Sequence, residues 1–289
     1  RDPAELIASY KAILDSVDAQ SDLILINETL KIQSIANLME TFDKINIDAI
    51  KYAHDALETK VSVSLVNEFV QLYGKIKASS SNYSVTDMGR RALNNLALHM
   101  IAVAKCAMDK KTEASEIVFN HYNGSKNMTD KLQAMTDAVH LDLDCKSDIL
   151  KSFEKDWSKD ALVFDNFFRV QATVPNKSAI DNVKKLLSHP SFDGRNPNRV
   201  RALTGALALS NPVALNDISG EGYDLLCKQI TELNDINPSV AARILTPLLS
   251  FRRLDEKRQG MILNNLNSLM QMPKLSRSIY EKVSTALKE

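Results

Sequence analysis

Five histidines (His54, His99, His121, His140, His189) and three cysteines (Cys106, Cys145, Cys227) are the side chains of this 289-residue sequence best suited to metal binding or nucleophilic chemistry. Their spacing serves neither. A hydrolytic zinc site carried on a helix needs two histidines one turn apart, a glutamate between them as general base, and a third ligand further along. Here the closest pair, His121 and His140, is 19 residues apart. The cysteines are odd in number and widely separated, which fits no disulfide framework and no Cys-based zinc spacing; the expectation is buried free thiols in a reducing cytoplasm. No Gly-x-Ser-x-Gly elbow occurs, and Gly220-Glu221-Gly222 lacks the spacing of a phosphate loop. The residues therefore predict no catalytic group, no metal ligand and no cofactor on this chain.

Arginine offers the remaining chemistry. Arg195, Arg199 and Arg201 surround one expected helix start, and Arg243 follows another. A guanidinium fork can hold a carboxylate through two parallel hydrogen bonds, which suits a peptide carboxyl end or an acidic side chain. The competing use is structural, since arginines beside loops commonly bind backbone carbonyls or acidic neighbours. Gly220 and Gly222 can take positive φ and would bring Glu221 and Tyr223 to the mouth of the next helix. The basic run Arg252, Arg253, Lys257, Arg258 is interleaved with Asp255 and Glu256 and carries no stacking aromatics, so it predicts a solvated or salt-bridged helix junction. Trp157, Phe164, Phe167 and Phe168 are expected in a core.

The elements that must position these side chains are helical. Leu6, Ile7, Tyr10, Ile13 and Leu14 recur at three- and four-residue steps, as do Val200, Leu203 and Leu207, or Ile262, Leu266 and Leu269. No alternating β-branched run stands between turn signals, so the chain is expected to be all-α. Breaks are marked near Ala78 to Asn82, Asn123 to Asn127, Pro175 to Ser178, His189 to Asn196, Asn216 to Gly222, and Met272 to Pro273, which implies helices of about 10 to 25 residues. Antiparallel helix pairs stacked into a superhelix, of HEAT or armadillo type, follow, although no phrase recurs at a fixed period. Asn196-Pro197 and Asn237-Pro238 each read as a cap followed by a proline at the first helical position. Pro247 should kink or open its helix.

Composition bounds the partners. Hydrophobic residues make up 44% of the chain, ample for a core, and 36 basic residues balance 36 acidic ones. No overall field draws in nucleic acid or an anionic membrane surface. No apolar run long enough to span a membrane occurs. Arg1-Asp2-Pro3 reads like a cut in a loop before a helix, and the expectation is a domain of a longer polypeptide. Asn-x-Ser/Thr triplets at Asn27, Asn82, Asn123, Asn127 and Asn176 are the handful expected by chance.

Seven of the eight prolines lie beyond residue 174, and four of the eight glycines fall within the 29 residues from Gly194 to Gly222. The phrases HPSFDGRNPNRVRALTGA, SNPVALN, GEGYDLL, NPSVAARILTPL and FRRLDEKRQ, with YNGSKNMTDKLQAM and DALVFDNFFRVQAT upstream, resemble the C-terminal helical domain of bacterial-type aminopeptidase N, a zinc metallopeptidase of the gluzincin class. The resemblance runs from near residue 1 to the end. It implies one domain over 1–289 that follows a catalytic portion, with a possible subdivision into a plain helical stack, 1–174, and a cavity-lining part, 175–289. It implies zinc in that catalytic portion and none here, since no position matches the zinc ligands. It implies a cytoplasmic enzyme that removes N-terminal residues, whose chamber this domain walls so that only short peptides or amino acids enter. Arg201 and Arg243, the last Arg of RNPNRVR and the Arg of NPSVAAR, would face that chamber, and Glu221 and Tyr223 would lie on its lining. The alternative is a free-standing helical scaffold that binds a peptide or protein partner on its concave face.

Overall fold

The computed structural model describes residues 3–18, 21–76 and 84–288. The break expected at Ala78 to Asn82 and the triplet at Asn82 lie outside the described residues. In chain order the helices are α1 (Pro3–Ser16), α2 (Leu23–Leu30), α3 (Ile35–Glu40), α4 (Ile47–Ser64), α5 (Val66–Lys75), α6 (Val85–Ala107), α7 (Lys111–Gly124), α8 (Met128–His140), α9 (Lys146–Trp157) and α10 (Ala161–Ala172). They continue with α11 (Ser178–Leu186), α12 (Pro197–Val200), a π-helical turn (Arg201–Gly205), α13 (Ala206–Ser210), α14 (Pro212–Leu215), α15 (Glu221–Leu233), α16 (Pro238–Ile244), α17 (Thr246–Leu249), α18 (Glu256–Met270) and α19 (Arg277–Lys288). No strand occurs among the described residues, and the chain is all-α as expected.

Two compact units form. One comprises residues 1–33 and 52–152, the other 34–51 and 153–289, so the division falls within α4 and within α9. The compositional boundary expected at 174/175 lies inside the second unit, between α10 and α11.

In the first unit α6 is the organising helix, packed against α2, α5, α7 and α8. Its apolar residues Leu93, Ala97, Met100 and Ile101 join Tyr10, Leu30, Val61, Phe69 and Leu72 in one core. The α2–α6 approach depends on Gly89, where a Cβ would stand 3.1 Å from Leu23 Cβ and 3.2 Å from the Ile24 backbone nitrogen. In the second unit α15 packs against α16 and α18, and α19 packs on both of those. Its stripe Tyr223, Leu226, Cys227 and Ile230 meets Ile45, Ile47, Ile50, Leu245, Phe251, Ile262 and Leu266.

Helix starts are fixed by side-chain caps, each worth about 1 kcal/mol. Asp22, Ser84, Asn127, Asp160, Asn196, Asn211, Asn237 and Asp255 all accept hydrogen bonds from backbone N–H groups of the first turn. Both expected Asn-Pro starts are present, and Asn211-Pro212 supplies a third. The second unit departs from the expected helix length: α12, α13, α14, α16 and α17 have only four to seven residues. Closely spaced prolines restart the backbone there, and Pro247 separates α16 from α17.

Candidate functional site

The four residues singled out from sequence all lie in the second unit. Asn196 sets their frame: its Oδ1 accepts from Asn198 N at 2.9 Å and Arg199 N at 3.4 Å, fixing where α12 begins. Arg199 and Arg201 then leave the same helix in opposite senses. Arg199 is 5% exposed; its Nη1 lies 3.0 Å from Asp165 Oδ1, and its guanidinium sits 4.6 Å from the Phe168 ring centre and 5.6 Å from that of Phe164. It is a core cation, resting on rings and a carboxylate in the manner that suits guanidinium. Burial pushes the Asp165 carboxyl up, with Arg199 and then Arg169 opposing.

Arg201 opens the π-helical turn and is exposed, its Nη1 donating to Asn198 Oδ1 at 3.0 Å. The four residues after it, Ala202 to Gly205, are buried. Widened turns of this kind recur at functional positions because they displace one side chain from the regular helical ladder. Arg243, near the end of α16, is exposed, and its side chain makes no hydrogen bond or ion pair among the described residues. The π turn packs against α16, so the helices that carry Arg201 and Arg243 are neighbours.

Glu221 is the first residue of α15 and is held by two ammonium groups, Lys177 Nζ and Lys184 Nζ, each at 2.6 Å. Their hydrogen bonds hold its carboxyl down at about 2. The two glycines around it do different work. Gly220 takes φ +78° and a Cβ there would meet Met261 Sδ at 2.7 Å. Gly222, expected to share the positive φ, is ordinary helix; its reason is proximity, since a Cβ would lie 2.5 Å from the Leu215 carbonyl oxygen.

Tyr223, expected at a mouth, has no exposed surface and donates from its hydroxyl to Asn216 Oδ1 at 2.8 Å. Burial pushes its phenol up. Its spacing to Leu226, Cys227 and Ile230 was the signal that it belongs to the apolar stripe. Behind it stands a polar cluster that sequence reading treated only as a basic junction. Arg258, 3% exposed, donates from Nε to Asn216 O at 2.6 Å, from Nη1 to Asp255 at 2.7 Å, and from Nη2 to both oxygens of Asp48 at 2.9 and 3.0 Å. Arg253 likewise donates to Met39 O and Phe42 O, and Arg252 to Ala286 O. The junction is salt-bridged, as expected.

The remaining reactive side chains do not assemble. Tyr73 and His121 share a 2.8 Å hydrogen bond, and His140 lines a different part of the first unit. No group of three His, Cys, Asp or Glu side chains among the described residues is placed to hold a metal ion. The described side chains therefore do not form a set that fits zinc. All three cysteines are free, and Cys145 and Cys227 are buried; burial pushes the Cys227 thiol up to about 12. No helix among the described residues is long and apolar enough to cross a membrane.

Comparison with known proteins bears out the resemblance. Aminopeptidase N of Haemophilus influenzae is 32% identical over 283 residues, which are 98% of this chain and 32% of that protein. Aminopeptidase N of Escherichia coli K12 is 33% identical over 285 residues, 99% of this chain and again 32% of the relative. The chain thus spans about a third of the length of the curated relatives it matches. A crystal structure of Legionella pneumophila aminopeptidase A in complex with aspartic acid superimposes with a TM-score of 0.86 over 98% of this chain and 33% of that one, at 24% identity, which speaks to the fold. The helical-repeat expectation has its counterpart in a family model described as a domain of unknown function (DUF3458_C), ARM repeats, which matches residues 1–288, and the chain belongs to that family.

Proposed function

We propose that this chain is the non-catalytic C-terminal part of a zinc-dependent, cytoplasmic aminopeptidase N, and that it walls the substrate chamber so that short peptides reach a metal held elsewhere in the same polypeptide. One observation carries the reading: relatives named aminopeptidase N match this chain almost end to end while it accounts for about a third of their length. Stacked helices suit the task, because a rigid wall admits flexible chain ends, excludes folded protein and keeps bulk water from weakening the charges inside. Arg201 and Arg243 would hold the carboxyl end of a bound peptide. Arg243 has its whole guanidinium to offer, and Arg201 commits one nitrogen to Asn198. Glu221, locked between two lysines, and Tyr223, locked on Asn216, would shape the wall rather than contact the ligand.

The test compares the 289-residue chain with the intact polypeptide. The intact form should release N-terminal residues from short peptides in a chelator-sensitive manner, and the chain alone should stay at background. Chelator-sensitive turnover by the chain, with contaminating peptidases excluded by mass spectrometry, would overturn the reading.

A further inference from the structure

The opening turns of α2 and α6 meet over Gly89, and the cleft they leave, about 220 Å³, has Leu23, Ile24 and Val85 in its walls. Four large apolar side chains of these turns are exposed: Val85 by 71%, Leu25 by 64%, Met88 by 52% and Ile24 by 37%. Val85 and Met88, three residues apart, share one face of α6. Ile24 lines the same cleft as Val85, and Leu25 follows it in the first turn of α2. A contiguous apolar patch of this kind on a folded unit marks a surface that something covers.

The carboxylates beside the patch are committed locally. Asp22 accepts from the backbone N–H groups of Ile24 and Leu25 at 3.1 and 3.0 Å, and Asp87 accepts from Ser84 and lies 3.6 Å from Arg90. The surface therefore suits aliphatic or aromatic side chains rather than an ion. Its size decides where they come from. A separate partner held stably buries about 800 Å² on each side, some 20–30 residues, and four side chains fall far short of that. A segment tethered to the same polypeptide meets the patch at an effective concentration of about millimolar, so a small apolar contact is enough. The aminopeptidase N relatives extend for about two thirds of their length beyond the part this chain matches, and a polypeptide of their size holds such a segment. We propose that the apolar end of α2 and α6 docks on the remaining part of that polypeptide, whose aliphatic or aromatic side chains cover Ile24, Leu25, Val85 and Met88. The inference rests on the reading of this chain as one part of a longer polypeptide, adds the surface by which that part is held, and does not depend on the peptidase activity.

Hydroxyl-radical footprinting of the 289-residue chain and of the intact polypeptide, read by mass spectrometry, tests it. Oxidation of Ile24, Leu25, Val85 and Met88 should fall several-fold in the intact polypeptide, and equal oxidation in both forms would overturn the proposal. Leu25→Asp with Val85→Asp places a carboxylate in the first turn of each helix, where it suits the helix dipole, so the chain alone should keep its melting temperature. In the intact polypeptide the same double variant should bring oxidation of Met88 back to the level of the chain alone. Undiminished protection of Met88 in that variant would place the contact elsewhere and overturn the proposal. Sedimentation of the chain alone as a dimer that the double variant abolishes would make a second copy the occupant, with the same consequence. An intact polypeptide that released no N-terminal residues would sink the proposed activity and leave this footprint standing.

Discussion

Arg258 and Asp48, 210 positions apart in the chain, meet with one guanidinium nitrogen within 3.0 Å of both carboxylate oxygens. The two ends of this pair are unequal. Arg258 is almost wholly buried, while the Asp48 side chain is 72% exposed. Removing the carboxylate should therefore cost little, under about 1 kcal/mol for Asp48→Asn, as for other solvent-screened pairs. Removing the arginine strips the buried Asn216 carbonyl of its donor, and Arg258→Met should cost about 1–3 kcal/mol. Urea unfolding of both variants checks the order; equal losses would contradict the assignment of the energy to Asn216.

The His99 imidazole should make stability fall with alkaline pH. Burial alone would push its pKa down, but the charge and hydrogen bond of Asp137, followed by those of Glu58, hold it at about 10. A folded value above the unfolded one, near 6.5, means that its contribution is complete below about pH 6.5 and is lost as the pH climbs through about 10. The melting temperature of His99→Gln should lie below that of the unmodified chain at pH 6 and converge toward it at pH 10. A gap independent of pH would refute this.

Two glycine replacements should differ in sign. Gly222→Ala drives a Cβ to 2.5 Å from the Leu215 carbonyl oxygen, and rigid backbone cannot yield cheaply, so a loss of about 2–3 kcal/mol is expected. Gly260, exposed within α18, has nothing within 4 Å of its would-be Cβ; Gly260→Ala should gain about 0.5–1 kcal/mol. Thermal denaturation of the pair distinguishes the two cases.

Arg201→Ala and Arg243→Ala, made in the intact polypeptide, should raise KM for short peptides while leaving kcat nearly constant, because uniform binding energy is what they would supply. Loss of a charge-assisted contact of about 1.5 kcal/mol corresponds to roughly tenfold in KM. Amide reporters without a free carboxylate should be unaffected. Equal effects on both substrate types, with a lowered melting temperature, would make the arginines structural.

Local chemistry was legible in the sequence, and burial was legible only in part. Asn-Pro pairs announced helix starts because a cap needs nothing beyond its own turn. The two-residue spacing of Arg199 and Arg201 placed them on different faces of one helix, but which face turns inward depends on Asp165, Phe164 and Phe168, more than 30 positions away. The π turn at Arg201 carries no composition mark. Asn95 with His99, and Gln133 with Asp137, are each four residues apart on single helices, a polar stripe readable in principle; only the packing of α6 on α8 makes them one cleft.

Residues 34–51 complete a core whose other members come from beyond residue 153, and the backbone bond from Ile45 N–H to Arg253 O spans about 200 residues. During synthesis at about 5–20 residues per second, Ile45, Ile47 and Ile50 emerge roughly 10–40 s before α15 and α18 exist to cover them. A nascent or truncated chain ending before α15 would thus display a sticky isoleucine triplet to chaperones and to other chains. Loss of the last quarter of this chain should read out as aggregation seeded around residues 45–50, far in sequence from the cut.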